Sequence, residues 1–329
     1  MLKFFNRRFF ILFIFPFFLG SITVLGFNPF NLLFINALSI SMLFYLIFYV
    51  KKKTQSSYRK KPFLKNLFFL GTSYGFGFFL FGLYWIAYSL TFDPFFKFLI
   101  PFALILIPLF LSLFFSLPII LIGKFLEFKI SSIILISILF SISDFLRSFV
   151  LTGFPWNLWA YSLSWSQESL QILNLVGFFS LNLILITILF LPVTFFFKNK
   201  FKYIFITFFV ILLFSNYFFG SYKINSERED ADNRINFKIV SSGLKLSEFK
   251  DEVLVLNNLI KISEPNKKQK TIFVWPEGVF LNENFKKNNQ LKKKIKENFS
   301  RNHLIIFGAN TEKTQNSKKN YFNSFLIID

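Results

Sequence analysis

The chain has 329 residues, 54% of them hydrophobic and 22% aromatic, with 56 Phe, and a formal net charge of +20. Such an apolar composition excludes an ordinary soluble domain. With no Cys and a single His, these residues supply no disulfide, no thiolate or His-cluster metal site and no Cys nucleophile.

A segment needs about 20 apolar residues to cross roughly 30 Å of hydrocarbon. Seven stretches meet that length: residues 8–26, 31–50, 66–90, 98–122, 130–151, 170–197 and 203–220. The first follows Lys3, Arg7 and Arg8 but has no small-residue cleavage site, so it reads as a retained anchor rather than a signal peptide. In the third, Gly71, Gly75 and Gly82 suit close helix packing. A groove for an acyl chain is the alternative there. In the fifth, Asp144 and Arg147 are three apart, as a helical ion pair would be. Charged residues in a span are also functional candidates. The following loop, Leu151 to Gln167, holds three of the five Trp and a Gly-Phe-Pro-Trp turn. It reads as an interfacial aromatic belt or as a specific loop at the membrane surface.

Lys and Arg set the orientation. With the N-terminus cytoplasmic, nearly all basic residues before Gly220 fall on cytoplasmic segments, Lys97 and Arg147 being the exceptions. This positive-inside pattern puts everything after Gly220 on the outer face, the periplasm of a Gram-negative cell. Nucleic acid is therefore excluded as a partner, despite the basic charge. The Lys-rich runs at 51–65 and 286–296 read as solvated faces, and the first also suits anionic lipid headgroups.

The composition predicts a membrane bundle over 1–220, a charged linker over 221–235 and a soluble α/β segment over 236–329. In that segment FKIVSS, TIFVWPE, HLIIFGAN and NSFLIID read as strands, with a helix from Glu248 and a Lys-rich helix from Asn282 between them. Alternating strands and helices predict a largely parallel sheet, and continuous apolar runs predict strands covered on both faces. Pro276 ends the second strand's ladder and sets Glu277 at its C-terminal edge, where open parallel sheets bind ligands. A carboxylate there, walled by Trp275 and Phe280, is a candidate general base. A solvated loop carboxylate is the other reading. His303 opens a strand without candidate ligand partners and is assigned no role.

In order, GFNPFN, SYGFGFFLFGLYWIAYSL, SDFLRSFVLTGFPWNLWAYS, LQILNLVGFFSLNLILI and TIFVWPE make the chain resemble the bacterial apolipoprotein N-acyltransferase family. LRSFVLTGFPW is the most specific stretch, although Asp144 stands where that family usually has Glu. The resemblance implies about seven spans in the inner membrane, followed by an extracytoplasmic nitrilase-like αββα domain. It implies transfer of an acyl chain from a phospholipid to the α-amino group of a lipoprotein's diacylglyceryl-cysteine, without a cofactor or metal. The implied partners are that phospholipid, that apolipoprotein and membrane lipids.

The resemblance makes Glu277 the base of a Glu–Lys–Cys trio. The family's Lys follows a strand like NYFNSFLIID and its Cys lies further on, so neither maps onto this sequence. Thioester formation needs the sulfur. The chain is therefore expected to be an N-terminal part of the enzyme, with an incomplete nitrilase-like domain and no catalysis of its own. A non-catalytic lipid- or lipoprotein-binding protein and a transporter are the competing readings.

Overall fold

The computed structural model describes residues 7–55, 63–226, 235–243, 251–278, 280, 289–315 and 318–329. The chain divides into two compact units, 1–229 and 230–329.

In the first unit, seven helices are long and apolar enough to cross a membrane: α1 (Arg7–Gly26), α2 (Leu33–Thr54), α3 (Phe63–Thr91), α4 (Pro94–Gly123), α5 (Ile130–Arg147), α6 (Phe178–Phe196) and α7 (Phe201–Ser226). Their number and order are as expected; three boundaries differ for backbone reasons. α5 stops at Arg147 because Leu151 (φ 52°) and Gly153 (φ 87°) turn the chain out of helical geometry. Gly177, at φ 75°, separates α6 from a short turn at Leu173–Val176, so the span expected from residue 170 is shorter. α7 continues through 221–226, taking up the start of the expected linker, whose residues 227–234 lie outside the described ones.

The bundle packs closely where side chains are smallest. A Cβ on Gly71 would lie 2.6 Å from Ser116 Cα, and one on Gly75 would lie 2.8 Å from Ser112 Cα. These glycines let α3 meet α4 backbone to backbone, which is the packing role expected of them. The hydroxyls of Thr23 (α1), Ser39 (α2) and Tyr74 (α3) converge within 2.5–3.1 Å and join three helices. Each thereby satisfies a polar group that lipid would leave unpaired.

The second unit is a four-stranded sheet in the order β1 (Asn236–Ile239), β2 (Thr271–Val274), β3 (His303–Gln315), β4 (Lys318–Ile328). β1, β2 and β3 are parallel, with Asn236 opposite Thr271 and Thr271 opposite His303. β3 and β4 instead form an antiparallel hairpin, since no crossover helix separates them. α8 (Glu252–Ser263) starts where the Asp251 carboxylate accepts the Val253 and Leu254 N–H groups. It ends at Glu264 in the left-handed conformation (φ 41°). α9 covers Asn289–Asn298; residues 282–288 of the Lys-rich helix expected from Asn282 lie outside the described ones.

Strand alternation sends Phe273, Trp275, Ile305, Phe307 and Ala309 into a core with Val255, Leu256 and Leu259 of α8 and Leu291 and Ile295 of α9. Both helices thus cover one face. The other carries a row in register, Ile239, Val274, Ile306 and Ile327, with Ile239 83% exposed and Ile327 57% exposed. Cover on both faces was expected; among the described residues only one face has it.

Candidate active site

Glu277 stands two residues beyond a ladder that is still intact at Trp275, whose N–H donates to the Ile306 carbonyl at 2.8 Å. Pro276 has no N–H to extend that ladder, and Gly278 turns the chain at φ 68°. Phe280 then returns to the sheet in a parallel bridge with Ala309. Among the described residues of this short arch, Glu277 is the exposed one, and the aromatics at its two ends, Trp275 and Phe280, are buried.

Those aromatics do not wall the carboxylate. Trp275 and Phe280 fill the core, the Trp275 indole donates to Ser263 Oγ at 2.9 Å, and both rings contact Phe307. Among the described residues, neighbours of Glu277 come from the hairpin. A Cβ on Gly308 would lie 3.0 Å from Glu277 Cγ, so glycine makes room for the carboxylate against β3. The Asn323 amide on β4 donates to Glu277 Oε1. Asn323 lies opposite Asn310, and Phe325 opposite Gly308, which places both on the sheet face away from α8 and α9. The carboxylate stands on that open face with one oxygen oriented. Gly308 and Asn323 carry no signal in the sequence, because only strand register brings them to Glu277.

A second constellation lies in the membrane unit. Asp144 and Arg147 are both buried and pair at 3.0 Å. Arg147 also donates to the Trp156 carbonyl at 2.6 Å and the Phe154 carbonyl at 3.2 Å, and its guanidinium lies 5.1 Å from the centre of the Phe79 ring. Asn182 of α6 donates to Asp144 Oδ2 at 2.9 Å, and its own oxygen accepts the Ala160 N–H at 2.9 Å. The pair thus ties the Gly-Phe-Pro-Trp loop to α3, α5 and α6. An amide within the apolar run SLNLILI was the available sign of Asn182. Beside the loop is an apolar groove of about 380 Å³, lined by Ile86, Leu106, Phe110, Leu151 and Phe154 with Arg147 as its charged member.

His303 is structural. The Ser300 N–H donates to its Nδ1 at 3.3 Å, which leaves Nε2–H to donate to the Asn266 carbonyl at 2.9 Å. Among the described residues, no group of three or more His, Cys, Asp and Glu side chains is placed to hold a metal ion.

The family model described as "Apolipoprotein N-acyltransferase N-terminal domain" matches residues 19–191, which run from α1 into α6. The "Apolipoprotein N-acyltransferase" of Rhizobium leguminosarum bv. trifolii (strain WSM2304) is 25% identical over 328 residues, covering 94% of this chain and 60% of that protein. Those of Rickettsia prowazekii (strain Madrid E) and Rhodopseudomonas palustris (strain ATCC BAA-98 / CGA009) are 35% and 34% identical, each over 119 residues. Those matches cover 36% of this chain and 24% and 22% of the two proteins. The chain thus spans about 60% of the Rhizobium protein's length. With its seven apolar helices, this chain is a multi-pass membrane protein that belongs to the apolipoprotein N-acyltransferase family.

Proposed function

We propose that the chain serves lipoprotein N-acylation, with Glu277 as the general base. The observation that carries this is the arch after β2, which holds an exposed carboxylate on the open face of the sheet with one oxygen taken by Asn323. In the full reaction, Glu277 removes the proton of a cysteine thiol. The thiolate attacks the acyl ester carbonyl of a phospholipid, a thioester forms, and the lysophospholipid leaves. The α-amine of a diacylglyceryl-cysteine then attacks the thioester, giving the amide and releasing the thiol. The sequence contains no Cys, so these residues supply the base and not the nucleophile.

The apolar groove beside Arg147 is of a size and chemistry for one acyl chain, and the Asp144–Arg147–Asn182 knot holds its loop wall. The Lys and Arg distribution supports a cytoplasmic-membrane protein with its N-terminus inside and its sheet unit outside.

The test is mass measurement of a diacylglyceryl lipopeptide incubated with phospholipid and the product of the reading frame extended beyond codon 329. Acylation that falls by about 10²–10⁴-fold in Glu277→Gln is expected. Acylation unchanged in that variant rejects the assignment. Absence of a downstream Cys, with no acylation, favours the non-catalytic lipid-binding reading.

A further inference from the structure

At the opposite end of the bundle from the Gly-Phe-Pro-Trp loop, residues of α1 and α2 line a groove in two parts. Its apolar trough, about 710 Å³, is lined by Phe10, Phe15, Leu38, Met42, Tyr45 and Phe196. Its mouth, about 300 Å³, is lined by Arg7, Arg8, Lys53, Thr54 and Asn66. Arg7, Ile11 and Tyr49 line both parts, so the mouth and the trough adjoin. We propose that this groove binds one anionic phospholipid, with its phosphate at the Arg7–Lys53 mouth and an acyl chain in the trough.

Three observations support that occupant. Among the described residues no Asp or Glu lines either part, and the charged groups at the mouth are all positive. The Arg8 guanidinium donates to Asn66 Oδ1 at 2.8 Å, which orients it at the rim. Guanidinium groups bind phosphate oxygens through paired donors, and an ammonium adds a point charge. From Leu38 to Tyr49 the trough follows α2 for about 16 Å, a length suited to an acyl chain.

The trough is open to the side: Phe10, Leu38, Met42 and Phe196 are each at least 45% exposed. An aqueous anion or a polar peptide would leave that apolar surface unmatched, whereas a lipid covers both parts. The π-helical segment Phe10–Ile14 forms the α1 wall. It lies just before Pro16, which lacks the N–H that the Leu12 carbonyl would receive in a regular helix. This site does not depend on the acyl-transfer reading; the proposed orientation merely assigns it to the cytoplasmic leaflet.

The test is native mass spectrometry of the purified chain from mixed micelles containing equal dioleoylphosphatidylglycerol and dioleoylphosphatidylcholine. One retained phosphatidylglycerol is expected. Its preference should fall by about five-fold in Arg7→Gln and again in Lys53→Gln, both exposed positions, and stay unchanged in Lys129→Gln. Met42→Trp, which fills the trough, should remove the retained lipid, and Leu38→Phe provides a second obstruction if Met42→Trp lowers the unfolding temperature. Equal retention of the two lipids overturns the proposal. So does a preference that survives both charge changes, or one that survives trough filling, since the lipid then adsorbs elsewhere.

Discussion

The Asn182 side chain spans 38 residues of sequence to donate to Asp144 Oδ2, while its own oxygen holds the Ala160 N–H. One amide thereby joins α6 to the α5 ion pair and to the loop that follows it. The bundle keeps a charged pair in lipid surroundings because neither charge is left alone: Asp144 is neutralised by Arg147, and Arg147 is shared with two loop carbonyls.

Removing one member should therefore cost more than removing an ordinary surface charge. Asp144→Ala leaves the Arg147 guanidinium buried and uncompensated, with an expected loss of about 3–5 kcal/mol. Asn182→Leu removes two hydrogen bonds and should cost about 1–2 kcal/mol. Unfolding of the purified protein in detergent, followed by circular dichroism, measures both. Equal stability of Asp144→Ala and the parent would mean that the pair contributes nothing. Arg147→Lys tests geometry, because one ammonium cannot replace the guanidinium's planar fork towards Asp144, Phe154 and Trp156.

Gly153 is demanded by the loop's path. Its φ is 87°, and a Cβ there would lie 2.1 Å from the Ser148 carbonyl oxygen. Gly153→Ala should destabilise the loop by more than the ~1 kcal/mol typical of a mild backbone change. Faster proteolysis between residues 148 and 158 would report it, and unchanged cleavage would refute it.

The α3–α4 contact makes a different demand, for space rather than for φ. Gly75→Val places atoms against Ser112, whose Cα is already 2.8 Å from an added Cβ. The helices must separate, at an expected cost of about 1–3 kcal/mol. A thermal midpoint no lower than the parent's would show that the bundle absorbs the side chain.

At the proposed active site, Asn323 is a positioning residue. Asn323→Leu leaves Glu277 chemically intact but unoriented. In the acylating protein, kcat should fall on the order of ten- to a hundred-fold with KM little changed. A change in KM alone would place Asn323 in substrate binding instead. Gly308→Val should have the larger effect, since it forces the arch off β3.

Much of the architecture is legible in the sequence. Twenty-residue apolar runs have one stable solution in lipid, a helix whose backbone groups are paired internally, so the seven spans and their order could be read directly. The apolar strands, the Pro276 stop and Glu277 beyond it were legible for the same local reason. The ends of α5 and α6 are less so, because each is set by single residues at positive φ, Leu151 and Gly153 after α5 and Gly177 before α6. The antiparallel return of β4 is the exception in a largely parallel sheet, because strand direction depends on the connection and no crossover helix separates β3 from β4.

Sequence by itself thus determined which segments enter the membrane, which residues are charged within it and where a carboxylate follows a core strand. These are local matters of length, hydropathy and backbone chemistry. Only the tertiary structure decided that Asn182 completes the Asp144–Arg147 pair, that Trp275 and Phe280 turn into the core, and that Gly308 and Asn323 are the neighbours of Glu277. Each of those joins residues far apart in the chain. Helix packing and strand register set such contacts, and neither is written in a single segment.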